Sequence, residues 1–199
     1  RKFLIKTRLE INTKKKMIIE SIISSVDKSG LVNFSPFGIK KESNYVYISP
    51  YIPSKTLQNI KETKIAVVNY VNDAEVFVNC ILGKKKNFKK TNCKSICCFY
   101  LDDCLSFDEL KVVDFIDDKT RPTFKCKIVY SQINKSFKGL NRANNAIIEA
   151  CILATRTNIL KKEKILKELE YLSIAVSKTS GIKEQKAWNI INKYIKERI

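Results

Sequence analysis

The sequence predicts an α+β protein: a small closed or split β-barrel followed by a helical segment. Three observations carry this. Short β-branched, apolar runs separated by turn residues recur through the first two-thirds of the chain. The hydrophobic period becomes helical after Gly139. The 199 residues are 44% hydrophobic and 10% aromatic with only 5 Gly and 4 Pro, the balance of a chain with a core rather than a disordered one. The expected division is a barrel over residues 1–139 and a helical subdomain over 140–199.

Met17 to Val26 is β-branched and apolar, Asp27-Lys28-Ser29-Gly30 reads as a turn, and Leu31 to Ile39 resumes an extended pattern, so the two runs form a hairpin. Lys41-Glu42-Ser43-Asn44 turns again into a strand over Tyr45 to Pro50. A short helix follows, with Leu57 and Ile60 at helical spacing behind Ser54 as N-cap. Ile65 to Val71 returns to a buried strand. Residues 74–82 form a short helix leading into a basic, polar loop, Gly83 to Asn92. Two further strands lie at Glu109–Ile116 and Thr123–Ile133. In the tail, Ala143, Ala146, Ile147, Ala150 and Ala154 mark a helix over 141–157. Amphipathic helices over 160–177 and 184–199 are parted by Ser180-Gly181.

The chain has no histidine, which excludes Ser-His-Asp and Cys-His catalysis and the common His-containing zinc centres. The net charge is +18. It is carried almost wholly by lysine and comes with an excess of Ile and Asn. This favours an AT-rich coding bias over a nucleic-acid surface, for which Arg is the residue of choice. No apolar stretch is long enough for a membrane-spanning helix. Arg1-Lys2-Phe3-Leu4-Ile5-Lys6 lacks the apolar core of a secretory signal, so a cytoplasmic protein without a membrane partner is expected. Seven cysteines fit reduced thiols. The spacing of Cys93, Cys97, Cys98 and Cys104 matches no standard metal site, so no metal is expected.

Two segments concentrate chemistry. In Val32-Asn33-Phe34-Ser35-Pro36-Phe37-Gly38-Ile39, Pro36 and Gly38 interrupt a strand, which lets a flat ligand approach the backbone, and Asn33 and Ser35 offer hydrogen bonds to a ring edge. A bulge at a barrel rim is the plain alternative. In Ser49-Pro50-Tyr51-Ile52-Pro53-Ser54-Lys55-Thr56, hydroxyls, a lysine and free N–H groups meet at a helix start, an arrangement suited to phosphate.

In this order the two segments, followed by Asn59-Ile60 and Val67-Val68-Asn69-Tyr70, resemble the FMN-binding split-barrel superfamily of flavin reductases and pyridoxamine-phosphate-oxidase-like proteins. The match extends to an uncharacterised, largely archaeal family within it. That family has a similar helical tail, Asn141-Arg142-Ala143-x-x-Ala146-x-Ile148-Glu149-Ala150-x-Ile152-Leu153-Ala154-Thr155-Arg156, and a middle section like Asp103-Cys104 with the Glu109 strand. The resemblance implies an FMN-binding split barrel with Asn33, Ser35, Pro36, Phe37, Gly38, Ser49, Ser54, Lys55, Thr56 and Asn69 at the cofactor. It also implies pairing into a homodimer and a flavin-dependent oxidoreductase whose substrate it does not specify. The alternatives are a non-catalytic ligand-binding barrel and a basic nucleic-acid-binding protein. Arg142, Glu149 and Arg156 lie seven residues apart in turn, on one helix face, where a structural ion network is expected in preference to a substrate-facing role.

Overall fold

The computed structural model describes residues 17–84 and 88–199. The reading of residues 1–6 lies outside them, as does part of the expected 83–92 loop. Strands β1 (Ile19–Val26), β2 (Val32–Glu42), β3 (Tyr45–Ile48), β4 (Ile65–Tyr70), β7 (Ser106–Ile116) and β8 (Thr123–Ile133) close a barrel in the order β1-β2-β3-β8-β7-β4. Every neighbouring pair is antiparallel.

The β1–β2 hairpin runs from Ile19↔Ile39 to Val26↔Val32. Its turn is organised by Asp27, whose Oδ1 accepts from Ser29 N, Ser29 Oγ and Leu31 N at 3.0, 2.6 and 3.0 Å. Gly30 takes the left-handed conformation that the turn requires, with φ of 84°. The second turn is tighter than its sequence implies: β2 continues through Lys41 and Glu42, and only Ser43-Asn44 connect it to β3. Helix α1 (Lys55–Thr63) closes one part of the barrel interior with Leu57 and Ile60, which join Ile23, Ile39, Val46, Val68, Leu110 and Phe124 in an inner core.

A second core forms outside the barrel. The other face of the strands (Ile22, Phe34, Val67, Phe107) is covered by α2 (Ala74–Ile81), α3 (Arg142–Ala154), α4 (Lys162–Thr179) and α5 (Ile182–Lys196). Ala143, Ala146, Ala150 and Ala154 let α3 lie close, and Ile165, Leu169, Val176, Trp188 and Ile191 seal it from above. The helical tail therefore shares its core with the barrel wall. A small ribbon, β5 (Lys90–Asn92) paired with β6 (Phe99–Leu101), also sits on this core; neither strand was expected, and β5 takes up the end of the expected loop. The loop between them is pinned by the fully buried Glu109, whose carboxylate accepts Lys94 N and Ser95 N at 2.7 Å each. Among the described residues, no helix is long and apolar enough to cross a membrane.

Candidate functional site

The start of α1 is built from polar contacts. Ser54 is extended and its Oγ accepts from Leu57 N at 3.2 Å, the N-cap arrangement that Ser favours. The amides of Lys55 and Thr56, first in the helix, have no carbonyl partner within it and leave an anion-attracting end. Lys55 Nζ lies 3.2 Å from Asp27 Oδ2 in the β1–β2 turn, with its side chain about half exposed. The Ser29 hydroxyl, seconded by Leu31 N, Lys55 and Ser29 N, draws the Asp27 carboxyl down to about 2. An exposed pair of this kind is weak, so Lys55 can turn to another anion at little cost. Thr56 is buried and its hydroxyl accepts from Asn33 Nδ2 at 3.1 Å, while the same amide lies 3.3 Å from Ser35 Oγ. One side chain thus joins the strand segment to the helix start.

Further along β2 the surface changes character. A cleft of about 480 Å³ opens between the β1–β2 wall and α3. Glu20, Pro36, Phe37 and Gly38 form the strand side, Phe77 and Ile81 come from α2, and Ile148, Cys151, Ile152, Thr155 and Arg156 from α3 and its end; Tyr51 completes the rim. From Asn33 to Gly38 is five residues of strand, roughly 17 Å, so the α1 end and the cleft form one elongated surface. Strand alternation splits the segment: Phe37 packs toward the inner core with Ile39, whereas Pro36 and Gly38 lie on the other face. A Cβ at Gly38 would come within 2.6 Å of Ile18 Cγ2 and 3.1 Å of Glu20 Oε1, so it would displace those two side-chain ends from the strand surface. Glu20 pairs across the hairpin with Gly38, and partial burial together with the nearby Glu149 carboxylate raises its pKa.

Two residues of the expected cofactor set make hydrogen bonds that hold the frame. Asn69 is fully buried, donating to Ile22 O and Ser24 Oγ at 3.0 and 2.8 Å and accepting from Leu101 N at 2.7 Å, so it clamps β4 to β1 and β6. Ser49 lies with its Oγ 2.8 Å from Thr123 Oγ1, and its carbonyl accepts from Arg121 Nε at 2.9 Å. With Ile52 N donating to Thr120 O at 3.1 Å, this ties the approach to α1 onto the β7–β8 connection. The expected ion network on α3 does not form. Among the described residues, Arg142, Glu149 and Arg156 share no ion pair, and Arg156 turns up on the cleft. Cys151 also lines the cleft, but burial pushes its thiol up to about 12, which makes it an inert wall group. Sequence reasoning missed Glu20, Tyr51, Phe77 and Ile148 as lining groups and ranked a ligand-facing Arg156 second; the repeat Ile148, Ile152, Thr155 on one face of α3 was the available signal.

Residues 19–135 match the family model described as "Protein of unknown function (DUF447) N-terminal domain", and residues 141–193 match that described as "Protein of unknown function (DUF447)". No curated protein matches the sequence. An FMN-bound protein of Methanosarcina mazei, itself assigned to DUF447, superimposes with a TM-score of 0.76 at 21% identity, over 90% of this chain and 96% of that one. The 2-nitrobenzoate 2-nitroreductase of Pseudomonas fluorescens gives 0.52 at 22% identity, over 61% of this chain and 67% of that one. Flavoredoxin from Methanosarcina acetivorans gives 0.52 at 16% identity, over 70% and 80%. These likenesses establish the fold as the split barrel seen in FMN-binding and flavin reductase proteins.

Proposed function

The chain belongs to the DUF447 family, and we propose that it is an FMN-binding flavoprotein acting as a flavin-dependent oxidoreductase. The observation that carries the reading is the hydrogen bond from Asn33 to Thr56. It places a strand segment open to a flat ring and a helix start suited to phosphate on one continuous surface. The names of two neighbours in fold, a nitroreductase and a flavoredoxin, support the redox part.

The residues fit the cofactor. Lys55 and the first amides of α1 supply the cation and donors that a phosphate needs, with Ser54 setting the helix start. Pro36, Phe37 and Gly38 form a flat wall with little side chain standing in the way, and Asn33 and Ser35 offer polar atoms between the two ends. When bound, FMN supplies hydride or electron transfer; the protein supplies binding, orientation and electrostatics. Phe77, Ile81, Ile148 and Ile152 keep the far side of the cleft apolar and limit water. The reading includes a homodimer, because the cleft is open at its rim and Tyr51 and Ile52 stand exposed beside it. Light scattering is expected to give twice the chain mass for the FMN-loaded protein.

The purified protein is expected to be yellow, and the pigment released on denaturation should have the mass of FMN. A colourless protein that takes up no FMN on titration contradicts the reading.

A further inference from the structure

The cleft carries a second, independent polarity. On its helix wall, Arg156 follows the C-cap of α3, and its backbone is fixed on both sides: Arg156 N donates to Leu153 O at 2.9 Å, and Ile159 N and Leu160 N both donate to Arg156 O at 2.9 Å. The guanidinium has no hydrogen-bond or ion-pair partner among the described residues. A cation past a helix C-terminus is favoured by the helix dipole alone, which accounts for a charge at this point but not for an apolar cleft around it. On the strand wall stands Glu20, also without an ion-pair partner among the described residues, laid across Gly38. The remaining lining is largely apolar or aromatic: Pro36, Tyr51, Phe77, Ile81, Ile148 and Ile152. The volume, about 480 Å³, is within the range of small-molecule sites.

We infer that the helix wall of this cleft binds the substrate, and that the substrate is a small, flat, apolar-bodied anion of the aromatic carboxylate class, anchored by Arg156. An arginine matches a carboxylate with two parallel donors. Glu20 on the opposite wall repels a second anionic group, so the ligand is oriented with its charge toward the end of α3 and its neutral end toward the strand. The flavin phosphate is held elsewhere, at Lys55, so the two anions do not compete. The assignment deepens the flavin reading, and in its substrate role it rests on that reading; the binding itself does not require it.

Calorimetric titration of benzoate, and of benzamide as its uncharged analogue, into the protein with and without FMN tests the assignment. Benzoate is expected to bind, benzamide at least tenfold more weakly. Arg156→Gln should weaken benzoate by roughly ten- to a hundredfold, Arg156→Lys should recover part of the loss, and FMN affinity should stay within about twofold. Arg156 is exposed, so both variants should melt with the parent. Benzoate affinity unchanged by Arg156→Gln in folded protein, equal affinity for benzamide, or no benzoate binding in either state overturns the assignment. Failure to bind FMN with benzoate still held through Arg156 would instead overturn the flavin reading and leave the anion site standing.

Discussion

At the start of α1, polar groups meet polar groups: Ser54 caps Leu57 N, Asn33 reaches Thr56, and Lys55 rests against Asp27. Along the same strand, the cleft under α3 has apolar walls and keeps its two charges, Glu20 and Arg156, apart. The first end is satisfied before any ligand arrives, apart from the leading helix amides, and so is rigid and ready for an anion. The second leaves Glu20 and Arg156 without an ion-pair partner among the described residues, and the partial burial of Glu20 works against its charged form. The difference sets a helix start whose side chains already have partners against a cleft whose charges do not pair with each other, and it can be broken at several points.

The largest effect is expected in the frame. Asn69→Ala removes three buried hydrogen bonds and strands Leu101 N and Ile22 O. Denaturant unfolding should show a loss on the order of 2–4 kcal/mol, while the fraction that remains folded keeps its ligand affinities. Thr56→Val should cost less, about 1–2 kcal/mol by the same measurement, since the Asn33 amide loses its Thr56 acceptor and keeps Ser35 Oγ. It should also weaken FMN, because Asn33 then no longer ties the two halves of the surface together.

Much of the polar end was legible in the sequence. Ser54 before a helical period is an N-cap signal, and Pro36 and Gly38 inside an extended run mark an opening in a strand. The cleft was not legible, because it exists only when α3 packs over the outer face of β1 and β2, more than a hundred residues away in the chain. The frame role of Asn69 was hidden for a related reason: nothing in Val67-Val68-Asn69 announces that Leu101 N, on a strand of only three residues, would donate to its side-chain carbonyl. The tail motif was legible as a helix. Its charges were not, since seven-residue spacing sets Arg142 and Glu149 two turns apart, beyond pairing distance, and the helix ends at Ala154 before it reaches Arg156.

Glu20 sharpens the comparison through pH. Its folded-state pKa is raised, so folding favours the protonated form and a penalty grows as pH rises through and above the ordinary carboxylate value. Glu20→Gln should therefore raise the melting temperature slightly at about pH 7, with the gain vanishing near about pH 4, where the parent carboxyl is largely protonated in both states. A gain that is the same at both values would show that Glu20 bears no such penalty.

The smallest effect concerns the surface charge. If +18 reflects composition more than a designed surface, duplex DNA should bind weakly, without sequence preference, and with affinity falling steeply as salt rises. Selective binding at physiological salt would place the function on the lysine surface and away from the cleft.

The central claim, that the start of α1 holds the phosphate of FMN, is tested most directly by titrating FMN and riboflavin into the parent protein and Lys55→Ala, with unfolding curves to confirm that both are folded. A charge-assisted contact predicts FMN weakened roughly ten- to a hundredfold, and riboflavin, which lacks the phosphate, changed by less than about twofold. Equal FMN affinity in the two folded proteins would contradict the account and place the phosphate elsewhere.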